Sequence, residues 1–287
     1  MADTTGSPTA WVLAGGGSFG AIQVGMLQAL VAYGLVPDLV VGSSVGAING
    51  AYFAGAPDAD GLARLAAIWC GMRRSTVFPL AWGSLLRLKN GDGSTVDPSG
   101  LSGLLERCLP YQALEDARIA VHMVATNQLG GGTVTISRGP VVEAVLASCA
   151  IPAVFPPVRI GEHFLIDGAI ASNTPISVAL ELGARRMIVL PTGFACALEA
   201  PPRGAIASIL HAVTLVIAHQ LASEFERCQG LAQIIMVPPL CPLAASPYDF
   251  SHAADLIQRA ADQTRRWLDK GGLTRSQVAP ALLAHSH

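Results

Sequence analysis

Gly42-Ser43-Ser44-Val45-Gly46 has the pattern G-x-S-x-G. That spacing suits a nucleophilic serine, because it lets a strand turn sharply into a helix and thrust the serine hydroxyl out of the sheet. Ser44 is the candidate nucleophile. Gly42 and Gly46 are the positions where a side chain would collide with neighbouring backbone. Alone, the pentapeptide also fits a tight turn without chemistry. A second turn, Gly15-Gly16-Gly17-Ser18-Phe19-Gly20, fits G-x-G-x-x-G. A dinucleotide site of that kind needs an acid about 20 residues on, at the end of the second strand. Asp38 instead precedes that strand, and Gly42-Ser43-Ser44 occupies its end. The other use of such a turn is to offer bare backbone N–H groups to an anion. The amides of Gly15, Gly16 and Gly17, with that of Val45, are therefore the candidate oxyanion hole for an intermediate formed at Ser44.

These turns need elements to hold them. Ala10 to Leu13 reads as a buried strand, Ala21 to Tyr33 as a helix, Leu39 to Val41 as a second strand, and a small-residue helix follows through Phe53. Two strand–turn–helix units in tandem predict a parallel sheet with helices on both faces. Further on, helices are expected at Leu101–Leu109, Val141–Ser148, Pro175–Leu182 (capped by Thr174) and Ala253–Leu268. Strands are expected at Ile119–Ala125, Thr133–Ser137, Phe164–Ile166 and Met187–Leu190. No repeat or low-complexity linker divides the chain. The expected organisation is a flexible N-terminus (1–10), one domain (11–275) and a flexible tail (276–287).

A serine needs a base. An ordinary α/β-hydrolase supplies Asp and then His after the serine, and several strands precede its elbow. Here the elbow follows only two strands. Of the candidates His211, His219 and His252, the first two lie on an apolar stretch, where a core role is expected. Asp167-Gly168 directly follows a strand, where sites in parallel sheets form, yet on composition it is also a plain turn dipeptide.

At this point the residues resemble a family. The glycine turn, the serine pentapeptide and Asp167-Gly168-Ala169, in this order, look like the patatin-like phospholipases. So do Ala147 to Pro157 and Asn173-Thr174-Pro175. The resemblance covers about residues 11 to 192. It implies a three-layer α/β/α fold with a mainly parallel central sheet. It also implies a Ser–Asp dyad without histidine: Ser44 attacks a lipid ester, Asp167 accepts its proton, and the Gly15–Gly17 amides hold the oxyanion. Gly20, Gly42, Gly46, Gly168 and Ala169 complete the motifs. Asp167 is expected to sit in a partly solvated turn that keeps it ionised. The sequence departs from the family at Phe19, where a basic residue is usual. The alternative reading is accordingly a catalytically weak or inactive relative that binds lipid or a partner.

Composition narrows the partners. With 18 basic and 20 acidic residues, 13% in all, against about 25% in an average globular chain, there is no basic footprint for nucleic acid. No His/Cys/Asp/Glu cluster has metal-ligand spacing, and no cofactor is expected. Six scattered cysteines fit buried thiols better than a disulfide framework. The segment 61–91 holds Arg64, Arg73, Arg74, Arg87 and Lys89 with Trp69, Phe78 and Trp82 and no acid. It is the candidate for peripheral contact with anionic lipid; the alternative is a solvated helix face with ordinary core aromatics. The uncharged stretch 204–223 is a candidate core helix, homo-oligomer interface or membrane contact. No basic residue precedes Arg64, so no secretory leader is expected. The expected location is cytoplasmic, with peripheral contact at the inner face of the membrane.

Overall fold

The computed structural model describes residues 7–77, 96–193, 216–217, 220–243 and 246–274. The expectations for the two chain ends (residues 1–6 and 275–287), for Phe78 to Gly91 and for His211 and His219 lie outside these residues. So does most of the stretch 204–223.

The chain opens with β1 (Thr9–Leu13), α1 (Gly20–Ala32), β2 (Leu39–Ser43) and α2 (Val45–Gly55). There follow α3 (Ala59–Gly71), α4 (Arg74–Val77), α5 (Ser99–Cys108), β3 (Ala120–Asn127), β4 (Thr133–Ile136) and α6 (Val141–Ser148). Then come β5 (Val158–Ile160), β6 (His163–Asp167), α7 (Ala169–Ser172), α8 (Ile176–Glu181), β7 (Arg186–Leu190), β8 (Gln233–Met236) and α9 (Ala253–Asp269).

The strands of the described residues form one sheet in the order β5-β6-β3-β2-β1-β7-β8, with β4 paired to β3. The β3–β2–β1–β7–β8 pairs are parallel, whereas β4, β5 and β6 pair antiparallel. The fold is thus α/β with a mostly parallel, mixed sheet.

Side chains alternate across a strand, and β1 divides the core accordingly. Trp11 and Leu13 enter the larger cluster, under α1, α2 and α9. Ala10 and Val12 enter the smaller one, with Ile176 of α8 and Leu221 and Phe225. Gly25 lets α1 lie against α9, since a Cβ there would overlap the Ile257 carbonyl. Among the described residues no helix is long and apolar enough to cross a membrane.

Helix α3 runs through the cationic segment, as the reading of a solvated helix face with core aromatics expects, and it is N-capped by Asp58, whose carboxylate accepts the Gly61 N–H at 2.7 Å. Three readings need correction. Trp69 on the inner face of α3 is core, 1% exposed, and is no interfacial aromatic. Arg64, Arg73 and Arg74 are exposed. Thr174 does not cap α8: Pro175 holds the capping position in a non-helical conformation, and the Thr174 hydroxyl has no hydrogen-bond partner among the described residues. β5 and β8 are short strands that the sequence pattern did not mark.

Candidate active site

β1 and β2 run side by side and parallel, Leu13 opposite Gly42, so the turns that follow them leave the same end of the sheet. Asp38 lies at the opposite end, where its carboxylate accepts the Thr9 N–H at 2.6 Å. That placement removes the acid a dinucleotide site would need.

Ser44 sits at φ 53°, ψ −124°, a left-handed conformation costly for a residue with a Cβ. Three contacts hold it there. Its N–H donates to Ser148 Oγ at 2.9 Å, and the Ser148 hydroxyl donates onward to the Val124 carbonyl at 2.5 Å. The Cys149 thiol donates to the Ser44 carbonyl at 3.1 Å. The glycines of the pentapeptide are required sterically: a Cβ on Gly42 would overlap the Gly46 carbonyl, and one on Gly46 would overlap that of Leu13.

Asp167 ends β6, which pairs with β3, so a single strand separates it from the strand that carries Ser44. The Ser44 hydroxyl donates to Asp167 Oδ2 at 2.7 Å. Asp167 Oδ1 accepts the Ala169 N–H at 2.8 Å. The peptide is tied down as well, Asp167 N–H to Ala150 and Gly168 N–H to Ser148. Gly168 has no room for a side chain beside the Val124 carbonyl and the Ser43 hydroxyl.

The expectation of a partly solvated aspartate is wrong. Asp167 is 3% exposed. Burial lifts its carboxyl from 3.8 to about 6, against the lowering effect of the Ala169 and Ser44 hydrogen bonds. Burial, with the nearby Asp167 charge, also pushes the Cys149 thiol well up, so it stays a neutral donor. The Tyr248 phenol rises to about 12 through burial and then the same charge.

The glycine turn packs against Ser44: a Cβ built on Gly15 would stand 3.1 Å from Ser44 Cβ. The four candidate donors are not equivalent. The Gly15 N–H is spent on the Asn173 carbonyl at 3.0 Å. The N–H groups of Gly16, Gly17 and Val45 carry no backbone partner among the described residues. Gly16 (φ 154°) and Gly17 (φ 59°) adopt conformations that favour glycine. The turn is clamped from both sides. Thr192 donates to the Gly15 carbonyl at 2.6 Å, and Ser18 N–H donates to Pro247 at 2.7 Å. Phe19, where a cation was looked for, is 1% exposed in the core.

Beneath the turn runs a buried polar ladder. Trp69 Nε1–H donates to Asn49 Oδ1, while Asn49 Nδ2 donates to the Gly20 carbonyl and to Gln23 Oε1, each at 2.9 Å. Gln23 Nε2 donates to the Ala14 and Leu190 carbonyls, the ends of β1 and β7. An unpaired buried polar group costs roughly 1–3 kcal/mol. Asn49→Leu orphans the Trp69 N–H and the Gln23 carbonyl oxygen, so unfolding in urea is expected to show a loss of about 2 kcal/mol or more.

No histidine is hydrogen-bonded to Ser44 or Asp167 among the described residues; His252 pairs with Asp249 at 3.4 Å. Nor do the described residues contain a cluster fit to hold a metal ion. Sequence reasoning brought Ser44, Asp167, Gly15–Gly17 and Val45 together. It missed Ser148, Cys149 and Thr192 as their supports. Ser148 and Cys149 stood in the stretch already singled out, but Thr192 left no signal.

Residues 11–180 match the family model described as patatin-like phospholipase. A patatin-like phospholipase domain-containing protein of Caenorhabditis elegans is 29% identical over 192 residues, 66% of this chain and 14% of that protein. An uncharacterised NTE family protein of Mycobacterium tuberculosis is 32% identical over 168 residues, 58% of this chain and 27% of that one. The chain therefore spans about a quarter or less of the length of these curated relatives. Among solved structures, VipD from Legionella pneumophila aligns with a TM-score of 0.48 at 16% identity, covering 92% of this chain and 67% of that chain.

Proposed function

Since this chain belongs to the patatin-like phospholipase family, we propose that it is a serine lipid acyl hydrolase whose nucleophile is Ser44 and whose base is Asp167. The observation that carries this reading is the 2.7 Å hydrogen bond from the Ser44 hydroxyl to the buried Asp167 carboxylate, made at a strained strand-to-helix turn.

Ser44 Oγ attacks the ester carbonyl as Asp167 Oδ2 takes its proton. The negative oxygen that forms is met by the N–H groups of Gly16, Gly17 and Val45, the last at the positive end of α2. Gly15 is left out, because its N–H already holds Asn173. Asp167 then gives the proton to the leaving alcohol. In the second half, water attacks the acyl-enzyme with Asp167 again as base. The intact hydrogen bond and the unpaired turn amides favour this over a non-catalytic relative. Loss of the cation at Phe19 leaves the backbone donors in place.

A base with a carboxyl near 6 is well matched to neutral pH. Asp167 is active when ionised, so kcat/KM for a soluble ester is expected to rise about tenfold per pH unit below 6 and to level off above 7. A flat profile between pH 5 and 7 would contradict Asp167 as the base.

Intact mass after fluorophosphonate treatment tests the nucleophile. One adduct on the wild type, mapped to Ser44 and absent from Ser44→Ala, is the expected result. Folded wild type that takes no adduct would overturn the hydrolase reading.

A further inference from the structure

The three amides that meet the oxyanion are aimed by different means. Val45 N–H stands at the start of α2, and Gly17 N–H at the head of the short helical turn Gly17–Phe19 that leads into α1. The peptide that carries the Gly17 N–H has its carbonyl on Gly16, and that carbonyl accepts the Phe19 N–H at 3.2 Å. Helix geometry therefore sets both groups, because the first N–H groups of a helix point away from its body. Gly16 lies ahead of both helices, so its N–H is aimed by something else.

Thr192 does this. It follows β7, is buried, and donates its hydroxyl to the Gly15 carbonyl at 2.6 Å. A peptide is planar and trans, so the Gly15 carbonyl and the Gly16 N–H, which belong to one peptide, point in opposite directions. The sheet order turns this into an aim. β1 lies between β7 on one side and β2 on the other. Thr192 draws the carbonyl to the β7 side, so the N–H faces the β2 side, where Ser44 stands. The same side chain backs the next residue: a Cβ on Gly16 would overlap Thr192 Oγ1 and Cβ.

The neighbouring peptides have other partners. The one before is held through the Gly15 N–H on Asn173, and the one after through the Gly16 carbonyl on Phe19. The Gly15–Gly16 peptide is held by Thr192. Turning it over changes ψ of Gly15 and φ of Gly16, and both residues lack the Cβ that would oppose the rotation. A turned peptide does more than withdraw a donor. It brings the Gly15 carbonyl oxygen, with its partial negative charge, toward the place where the oxyanion forms.

We propose that Thr192 is a positioning residue of the oxyanion hole, its hydroxyl locking the Gly15–Gly16 peptide so that the Gly16 N–H faces the developing negative charge at Ser44. This inference rests on the Ser44–Asp167 reading. Thr192 forms no bond and moves no proton in the reaction; it acts through the Gly16 N–H.

The test compares 4-nitrophenyl butyrate with its thionoester as substrates of the full chain. Sulfur accepts hydrogen bonds more weakly than oxygen, so a misaimed donor slows the oxygen ester more than the sulfur one. Thr192→Val keeps the shape of the side chain and loses the hydroxyl. In it, kcat for the oxygen ester is expected to fall at least about thirtyfold, just below the scale of one lost hole donor. The ratio of kcat/KM for the oxygen over the sulfur ester is expected to fall at least about tenfold. Thr192→Ser restores the donor and is expected to recover the ratio to within about threefold of wild type. A ratio within about twofold of wild type in folded Thr192→Val would overturn the proposal, as would a ratio as low in Thr192→Ser as in Thr192→Val. Thr192→Ala removes the same donor without adding an atom, and carries the same expectation should Thr192→Val not fold. A second readout needs no substitution. In the fluorophosphonate adduct of the wild type a phosphoryl oxygen takes the oxyanion's place, and the Gly16 amide proton resonance is expected to move downfield. No movement would also overturn the proposal. Wild type that neither labels nor hydrolyses the oxygen ester would sink the hydrolase reading; active wild type with an unchanged ratio in Thr192→Val would sink only the role of Thr192.

Discussion

Asp167→Asn is expected to be slower by at least about 10³-fold in ester hydrolysis and yet more stable than the wild type at neutral pH. The first effect follows from the loss of the base that takes the Ser44 proton, for which general-base catalysis sets a scale of roughly 10²–10⁴. The second follows from burial. The folded carboxyl titrates near 6 and the free one near 3.8. Below pH 3.8 both states are protonated and burial carries no ionisation penalty. Between pH 3.8 and about 6 the unfolded chain is ionised while the folded chain still holds its proton, so stability falls across that window and levels off above it. At about 1.4 kcal/mol per pKa unit, the full cost above pH 6 is about 3 kcal/mol. Asparagine escapes it while still accepting the Ala169 N–H. The gain in thermal midpoint should be present at pH 8 and absent at pH 3.5. Activity and stability moving in the same direction at pH 8 would contradict the assignment.

Gly46→Ala is the second large effect. The added Cβ would stand closer than 3.0 Å to the carbonyls of both Leu13 and Ala14. These are backbone atoms at the end of β1, hydrogen-bonded to neighbours on both sides. They cannot retreat without moving the glycine turn they lead into. A loss of more than about 3 kcal/mol in stability is expected, together with loss of fluorophosphonate labelling. Gly71→Ala is the control. It ends α3 with nothing within 4 Å of the new methyl, and should be neutral or slightly stabilising. Equal behaviour of the two variants in urea denaturation would refute the steric account.

What the sequence revealed depended on how local each signal is. Ser44 was legible because strand, turn and helix stand next to one another in the chain. Asp167 was not: by itself Asp-Gly reads as a turn, and only the order of three motifs singled it out. Its burial was hidden for the same reason. Its peptide is tied to Ser148 and Ala150, and no local pattern says that these segments converge. The commitment of the Gly15 N–H was equally invisible, since its acceptor Asn173 arrives from beyond β6. Helix α3 did carry local signals, the Asp58 cap and Asp60 in its first turn. They agree with the reading of this segment as a solvated helix face, and the cations lie on its outer side. The antiparallel flank was only half legible, because β5 and β6 are short and pair mainly with each other and with the end of β3.

The single strand between Ser44 and Asp167 has a kinetic meaning. The two residues are 123 positions apart in the chain, and β6 meets β3 through only three residue pairs. Such a contact closes a long loop and rewards little until the closure is complete, which places it late in folding. Helices and the β1–β2 pair can therefore form while the nucleophile still lacks its base. During refolding, reactivity toward a phosphonate would trail the recovery of helical signal. The fraction of chains that become labelled would then count finished molecules, not merely collapsed ones.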